Sequence, residues 1–265
     1  MATYVMSDIH GCYTEFQTLL KKTGFDPEKD ELIIAGDIVD RGAENYEMLE
    51  YAASKPEGVT FLMGNHDQDF ILYCHTLVAL YRTLRDTEDE DLCSFIHRED
   101  VIYPYLEFVR DRYDTVRYLL EEAEEPLTTE DFERWAGCME QFPYYVRRKV
   151  NGKRYIIVHA GYISEEDYRE AVRKGTTRYP DGIEQFYVWA REEGLRYGEE
   201  GTTVIFGHTP TIAEHDFFNH GRVMVRKRRK KRFINIDCGC VFRKQHPEAN
   251  LACIRLEDEK VFYLR

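Results

Sequence analysis

The sequence lacks any long apolar run. A transmembrane helix needs about 20 consecutive apolar residues, and no stretch of the 265-residue chain approaches that length. The first residues also lack the basic segment and following apolar segment of a secretory signal peptide. We therefore expect a cytoplasmic protein that has no membrane partner.

Positive charge is scarce relative to negative charge. The chain has 36 Lys and Arg against 49 Asp and Glu, a formal net charge of −13. This charge repels phosphate backbones, so we do not expect general nucleic-acid binding. The seven cysteines show no CxxC spacing, which indicates a reducing compartment rather than a disulfide scaffold.

The sequence does contain short apolar runs that each end in a polar turn with glycine. Four of them are ELIIAGD, VTFLMGNHD, RYIIVHAG and TTVIFGHTP, and a shorter run, TYVM, precedes SDIHG near the start. Such runs are typical of buried strands, and turns at strand ends in α/β proteins converge on one edge of the sheet. The turns carry side chains suited to metal binding and catalysis: Asp8, His10, Asp37, Asp40, Arg41, Asn65, His66, His159 and His208.

These histidines favour a metal site only as a group. A single histidine at a strand end is more often a satisfied buried residue than a ligand. Four at equivalent places on different strands, accompanied by aspartates, reverse that balance, because imidazole and carboxylate together are the ligands of divalent transition metals.

The motifs DIHG, GDIVDRG, GNHD, HAG and GHTP, in this order, resemble the signature blocks of the phosphoprotein phosphatase branch of the calcineurin-like metallophosphoesterases, in particular the bacterial serine/threonine phosphatases. The resemblance implies an α/β fold, a four-layer sandwich of two mixed β-sheets flanked by α-helices. We expect a single domain over residues 1–265. Residues 71–141 contain no family motif and predict a helical insertion, which either shapes substrate choice or simply covers the sheet.

The resemblance also implies two divalent metal ions. It assigns Asp8 and His10 to one ion, Asp37 as the bridging ligand, and the second ion to Asn65, His159 and His208. The Asp-x-His spacing suits one ion if the segment is extended, because alternate side chains then point the same way. Mn²⁺ is the expected metal, with Fe or Zn²⁺ as alternatives.

Four further residues receive roles from the same resemblance. His66 is the expected general acid, and Asp40 orients it. Arg41 is expected to bind the substrate phosphate, and VWARE at 188–192 resembles the block that supplies a second arginine, Arg191. The family commonly has Gly-Asn-His-Glu, whereas Asp67 follows His66 here, which leaves the role of that carboxylate open.

We therefore predict a metal-dependent phosphomonoester hydrolase with a metal-activated hydroxide as nucleophile. The favoured activity is that of a serine/threonine protein phosphatase, and the expected partner is a phosphoprotein or a phosphorylated small molecule. A symmetrical dinucleoside tetraphosphate hydrolase, which shares these motifs, is the alternative. An inactive metal-binding scaffold is an alternative of another class, disfavoured because a scaffold needs no Asp40, Arg41 or His66.

One basic cluster, VRKRRKKRF at 225–233, stands out in the acidic chain. It is either a docking site for an anionic partner or a hairpin with a solvated tip, since VMV precedes the basic residues and FINID follows them. We favour the hairpin.

Overall fold

The apolar runs form strands of two five-stranded sheets in a computed structural model, which describes residues 1–85, 87, 90–98, 110–212 and 217–265. The first sheet has the strand order β10-β9-β1-β2-β3. Strand β1 is parallel to β2 and β2 is parallel to β3, whereas β9 is antiparallel to both β1 and β10. These strands are β1 (Thr3–Met6), β2 (Glu31–Ile34), β3 (Val59–Phe61), β9 (Ala252–Arg255) and β10 (Lys260–Tyr263).

The second sheet has the strand order β4-β5-β6-β8-β7. Strands β5, β6 and β8 run parallel, and the antiparallel strands β4 and β7 lie at the two edges. The predicted architecture of two mixed sheets is therefore confirmed. The strands are β4 (Tyr145–Val150), β5 (Lys153–Val158), β6 (Thr202–Phe206), β7 (Met224–Arg228) and β8 (Lys231–Asn235).

Both faces of the central strands are buried, which explains why the sequence runs are continuously apolar. Successive side chains of a strand point to opposite faces. In β1, Val5 packs in a small cluster with residues of both sheets, such as Ile33 of the first and Ile157 of the second, whereas Tyr4 and Met6 pack in the larger core that contains the helices. The molecule thus has four layers, with the small cluster between the sheets.

Eight α-helices are described outside the sheets. Most of the predicted insertion at 71–141 is helical where the structure describes it, but its first helix begins at Asn65, inside the GNHD motif. The single-domain organisation over 1–265 stays a prediction. The helices are α1 (Tyr13–Thr23), α2 (Asn45–Ala53), α3 (Asn65–Leu84), α4 (Leu92–Ile96), α5 (Arg110–Glu122), α6 (Thr129–Met139), α7 (Glu165–Arg173) and α8 (Ile183–Trp189).

The basic cluster is the β7–β8 hairpin, as the sequence favoured. Within the described part of the chain, no helix combines the length and the apolar character of a membrane span.

Candidate active site

The turns that follow β1, β2, β5 and β6 meet at the carboxyl ends of these strands. Backbone hydrogen bonds join them directly: the Asp8 amide donates to the Gly36 carbonyl (3.1 Å), the His10 amide to Asp37 (3.0 Å) and the Gly207 amide to His159 (2.7 Å). The third of these bonds ties two turns of the second sheet together. Most of the predicted site residues are buried there: Asp8, His10, Asp37, Asp40, Asn65, His66, His159 and His208.

The backbone of this region adopts a conformation that side chains rarely tolerate. Eleven described residues other than glycine have a positive φ, and six of them are predicted site residues: Asp8, His10, Asp37, Asp40, Arg41 and His208. Such conformations are costly and concentrate at functional sites. Because Asp8 and His10 have φ of 52° and 48°, this segment is not extended, and the spacing argument for these two side chains was wrong.

Asp37, His159, His208 and Asn65 form one group of metal-binding atoms. The Nε2 atom of His159 lies 3.4 Å from Asp37 Oδ2, 3.0 Å from Asn65 Oδ1 and 3.2 Å from His208 Nδ1. Since the other ring nitrogen of His159 donates to the Ala35 carbonyl (2.9 Å), Nε2 presents its lone pair to these oxygens and nitrogens. Acceptors crowd together in this way when a proton or a cation lies between them.

The electrostatics of the same group favour a positive charge. Burial lowers the pKa of His159, but the Asp37 carboxylate, together with Asp8 and the Ala35 carbonyl, raises it to about 10. Conversely, burial opposes ionisation of Asp37, yet His159 and His66 hold its pKa well below the usual range. Burial keeps His208 neutral by lowering its pKa. A divalent cation would supply the charge that the group requires, so the residues fit a metal ion.

A second group of potential ligands consists of His10, Asp37 and His66. Asp37 Oδ2 lies 3.6 Å from His10 Nε2, while His10 Nδ1 donates to the Val39 carbonyl (2.8 Å). A hydrogen bond of this kind fixes the ring and leaves Nε2 free as a ligand. Asp37 belongs to both groups, which is the position that a bridging ligand requires.

Asp8 belongs to neither of the two groups found among the described residues. Its carboxylate accepts the backbone N–H of His208, at 3.0 and 3.1 Å. Burial, followed by the nearby Asp237 carboxylate, raises its pKa well above the usual range. Gly207 permits this contact, because a Cβ there would lie 2.0 Å from Asp8 Oδ2.

His66 lies next to the predicted metal site and pairs with Asp40. The distance from His66 Nδ1 to Asp40 Oδ2 is 2.6 Å. Its other nitrogen, Nε2, accepts from Arg41 Nη2 (2.8 Å), and Arg41 Nη1 donates to His10 Nε2 (2.7 Å). The guanidinium therefore spans the two histidines at the entrance of the site.

An open cleft of about 390 Å³ gives access to these groups. Arg191, predicted from VWARE, lines this cleft together with Arg41, and its Nη1 donates to Thr209 Oγ1 (3.0 Å). The structure thus brings both predicted arginines to the same cleft.

Comparison with known proteins agrees with this site. Residues 1–235 match the family of calcineurin-like phosphoesterases. The chain belongs to this family. Within it, a metallophosphoesterase from Sphaerobacter thermophilus has the same fold, with a TM-score of 0.53 at 18% identity over 99% of this chain and 86% of that one.

Two curated relatives of this phosphoesterase share the name bis(5′-nucleosyl)-tetraphosphatase, symmetrical. The relative from Buchnera aphidicola is 42% identical over 91 residues, which are 34% of this chain and 31% of that protein. The relative from a Marinomonas species is 25% identical over 99% of this chain and 96% of its own length. The first alignment thus spans about a third of the relative, whereas the second extends over almost the whole of both chains.

The role of Asp67, which the sequence left open, is to shape the phosphoesterase site. Asp67 is fully buried and accepts three backbone N–H groups, from Asp37 (2.9 Å), Ile38 (3.0 Å) and Gly64 (2.9 Å). Burial, followed by the neighbouring Asp37, raises its pKa to about 6. Asp67 therefore positions the turn that carries Asp37. Its place in GNHD was the available signal, but two of its three partners, Asp37 and Ile38, come from a distant turn.

Asn45 and Asp237 also support the site without being predicted. Asn45 Oδ1 accepts the Asp40 amide (2.8 Å) and its Nδ2 donates to the Gly42 carbonyl (2.7 Å), so it fixes the turn of GDIVDRG. Asp237 accepts the Gly239 amide (2.9 Å). Burial raises its pKa to about 6.

Proposed function

We propose that this phosphoesterase hydrolyses symmetrical dinucleoside tetraphosphates to two nucleoside diphosphates. The main support is the alignment of almost the whole chain with the Marinomonas relative named bis(5′-nucleosyl)-tetraphosphatase, symmetrical. These relatives favour the alternative over the protein phosphatase that the sequence analysis preferred. The site is compatible with a small substrate rich in phosphate, because two arginines line one cleft beside the metal-binding groups.

In this proposal the two groups of donor atoms hold two divalent ions. Asp37 would bridge them, with Asn65, His159 and His208 on one side and His10 on the other. Asp8 would orient the His208 turn and remains a candidate ligand. When bound, the ions supply an acidified water and neutralise charge on the transferring phosphoryl group. The nitrogen and oxygen donors suit Mn²⁺, Fe or Zn²⁺.

Arg41 and Arg191 bind the polyphosphate chain. Arg41 has a planar fork of donors that matches phosphate oxygens, and both arginines are exposed at the cleft. We expect substrate oxygens to replace His10 and His66 as the acceptors of Arg41. This exchange frees His66 Nε2 to carry a proton.

His66 then protonates the oxygen that leaves. Its Nδ1–H is held by Asp40 at 2.6 Å, so Nε2 is the atom that faces the cleft. A nucleoside diphosphate is a much weaker base than the alkoxide of serine and needs less protonation. The site is therefore expected to depend less on His66 with a dinucleotide than with a phosphoserine peptide.

The test is a comparison of kcat/KM on diadenosine tetraphosphate and on a phosphoserine peptide, with the protein loaded with Mn²⁺. We expect a preference of at least about 100-fold for the dinucleotide and ADP as the only nucleotide product. The Asp37→Asn variant serves as the inactive control. A preference for the phosphopeptide would favour the protein phosphatase hypothesis instead. No hydrolysis of either substrate or of p-nitrophenyl phosphate would indicate an inactive metal-binding scaffold.

A further inference from the structure

The β7–β8 hairpin carries seven consecutive basic residues, 226–232, in a chain of net charge −13. Its strand register places like charges directly opposite each other, with Lys227 opposite Arg232 and Arg228 opposite Lys231. Cross-strand pairs of like charge destabilise a hairpin. The two-residue turn contains Arg229 at a φ of 57°, where Asn or Gly is preferred. The basic residues therefore destabilise the hairpin itself, and its folding does not explain their presence.

The basic residues fall into two classes by their surroundings. Lys230 pairs with Glu200 (3.2 Å) and Arg232 with Glu259 (2.7 Å). In contrast, Arg228, Arg229 and Lys231 have no carboxylate partner among the residues that the structure describes. These three line a cavity of about 290 Å³ together with Arg196, the last residue of a 3₁₀ helix that precedes β6. The cavity is thus lined by four cations.

The cavity is held in place by backbone contacts. The Gly201 amide donates to the Lys230 carbonyl (3.1 Å), and the Lys231 ammonium lies 3.5 Å from the Arg196 carbonyl. These contacts hold the hairpin tip beside the 3₁₀ helix that carries Arg196. Four cations are therefore concentrated in one place before any ligand arrives, which lowers the ordering cost of binding an anion.

This cavity is distant from the catalytic cleft. Strand β8 is parallel to β6, with Arg232 opposite Thr203, so the hairpin tip lies at the amino ends of the parallel strands. The candidate metal site lies beyond their carboxyl ends. His208 is the fifth residue after Thr203, a distance of about 16 Å at the usual rise of a strand. The cavity is a separate site.

We propose that this basic cavity binds a polyphosphate chain, either inorganic or part of a nucleotide. Such a chain concentrates several negative charges in a small volume, and arginine forks bind phosphoryl oxygens in pairs. The volume suits a few phosphoryl groups rather than a protein domain. Single-stranded nucleic acid is less well matched, because its binding sites use aromatic stacking and the described residues lining the cavity include no aromatic side chain.

The proposal is tested by calorimetric titration of the metal-loaded protein with inorganic tripolyphosphate. The double variant R229Q/K231Q removes two cations from the cavity, and K227Q/K230Q removes two from the same hairpin outside it. We expect Kd to rise at least about ten-fold in the first variant and less than about two-fold in the second. Tripolyphosphate also binds in the catalytic cleft, so the titrations are fitted with two sites and the comparison uses the Kd of the site that the hairpin variants change.

Hydrolysis of p-nitrophenyl phosphate should stay within two-fold of wild type in both variants, which separates this site from the proposed function. If a double variant is unstable, the single variants K231Q and K230Q provide the same comparison between neighbouring residues. A titration with ATP distinguishes inorganic polyphosphate from a nucleotide. Equal affinity for ATP and tripolyphosphate indicates that only the phosphoryl groups are bound, and tighter binding of ATP indicates a nucleotide site. The proposal would be overturned if the two double variants lost tripolyphosphate affinity equally, if neither lost affinity, or if a single-stranded RNA bound more tightly than tripolyphosphate.

Discussion

His66 Nδ1 lies 2.6 Å from Asp40 Oδ2, and both side chains are buried beside the cleft. The pair holds His66 in one orientation with Nε2 toward the substrate. General acid catalysis contributes about 10²- to 10⁴-fold when the leaving group is a strong base. We therefore expect His66→Asn to lower kcat strongly on a phosphoserine peptide and much less on diadenosine tetraphosphate and p-nitrophenyl phosphate, because both of these have weakly basic leaving groups.

The control for this series is Asp40→Asn, which should show the same order of losses in milder form. Metal content, measured by plasma mass spectrometry, should stay unchanged in both variants. Because His66 also lies within one group of potential ligands, loss of a metal ion would make it a ligand. Equal losses on all three substrates would contradict its role as an acid.

Asp37→Asn is expected to release both metal ions. Asp37 is the one residue common to the two donor groups, and an amide neither carries the charge nor bridges two ions well. Asn65→Ala, which removes a donor from one group only, is the comparison variant. Metal analysis after dialysis should give fewer than one ion per chain for Asp37→Asn, and retention of two ions would rule out the bridging role.

Arg41→Ala should lower kcat/KM by about 100-fold, because the guanidinium binds charged oxygens in both the substrate and the transition state. Both KM and kcat should change while the metal content stays at the wild-type value. Arg191→Ala tests the second arginine in the same way. If kinetics with Arg41→Ala match wild type, the arginine serves only to position His10 and His66.

Asp67→Ala should reduce the free energy of unfolding by about 2 to 4 kcal/mol, because it leaves three buried backbone N–H groups without an acceptor. Asp67→Asn retains one side-chain oxygen and should cost less. The readout is urea denaturation with metal-binding affinity measured in parallel, since the Asp37 turn depends on these bonds. Unchanged affinity in Asp67→Ala would show that the turn is held without it.

Glu259 gives a prediction for the pH dependence of stability. Its hydrogen bond from Arg232, together with those from Lys153 and Tyr155, lowers its pKa from 4.5 to about 2. A folded-state pKa below the unfolded value stabilises the protein above about pH 4.5, and this contribution is lost as the pH falls toward 2. Glu259→Gln should therefore be less stable than wild type by about 1 to 2 kcal/mol at pH 6.

Urea denaturation at pH 6 and at pH 3 measures this difference. The gap between wild type and Glu259→Gln should narrow at the lower pH. Glu57→Gln, a change at an exposed carboxylate, is the control for general charge effects. A gap that is the same at both pH values would mean that Glu259 is not ionised in the way the structure indicates.

The strands and the residues of the site were predictable from the sequence, because both are marked by local sequence patterns. Val5, Ile33 and Ile157 stand in short apolar runs that are typical of strands buried on both faces, and the polar turns follow directly. The contacts of Asp8 and Asp67 were not predictable in this way. Asp8 binds the amide of His208 and Asp67 binds that of Asp37, and these pairings depend on how distant turns pack. The positive φ of His10 likewise has no local signature.

One of the two donor groups draws on both sheets: Asp37 and Asn65 follow strands of the first, and His159 and His208 follow strands of the second. A metal ion bound to these four residues would cross-link the two sheets, as a disulfide would, and loss of the ion would remove the cross-link. Ligands that bind only the folded state add to its stability in proportion to the logarithm of their concentration. The lifetime of this protein in a cell should therefore depend on the supply of its metal. Cells starved of that metal should degrade the protein faster, because a larger fraction of the chains is unfolded and open to proteases.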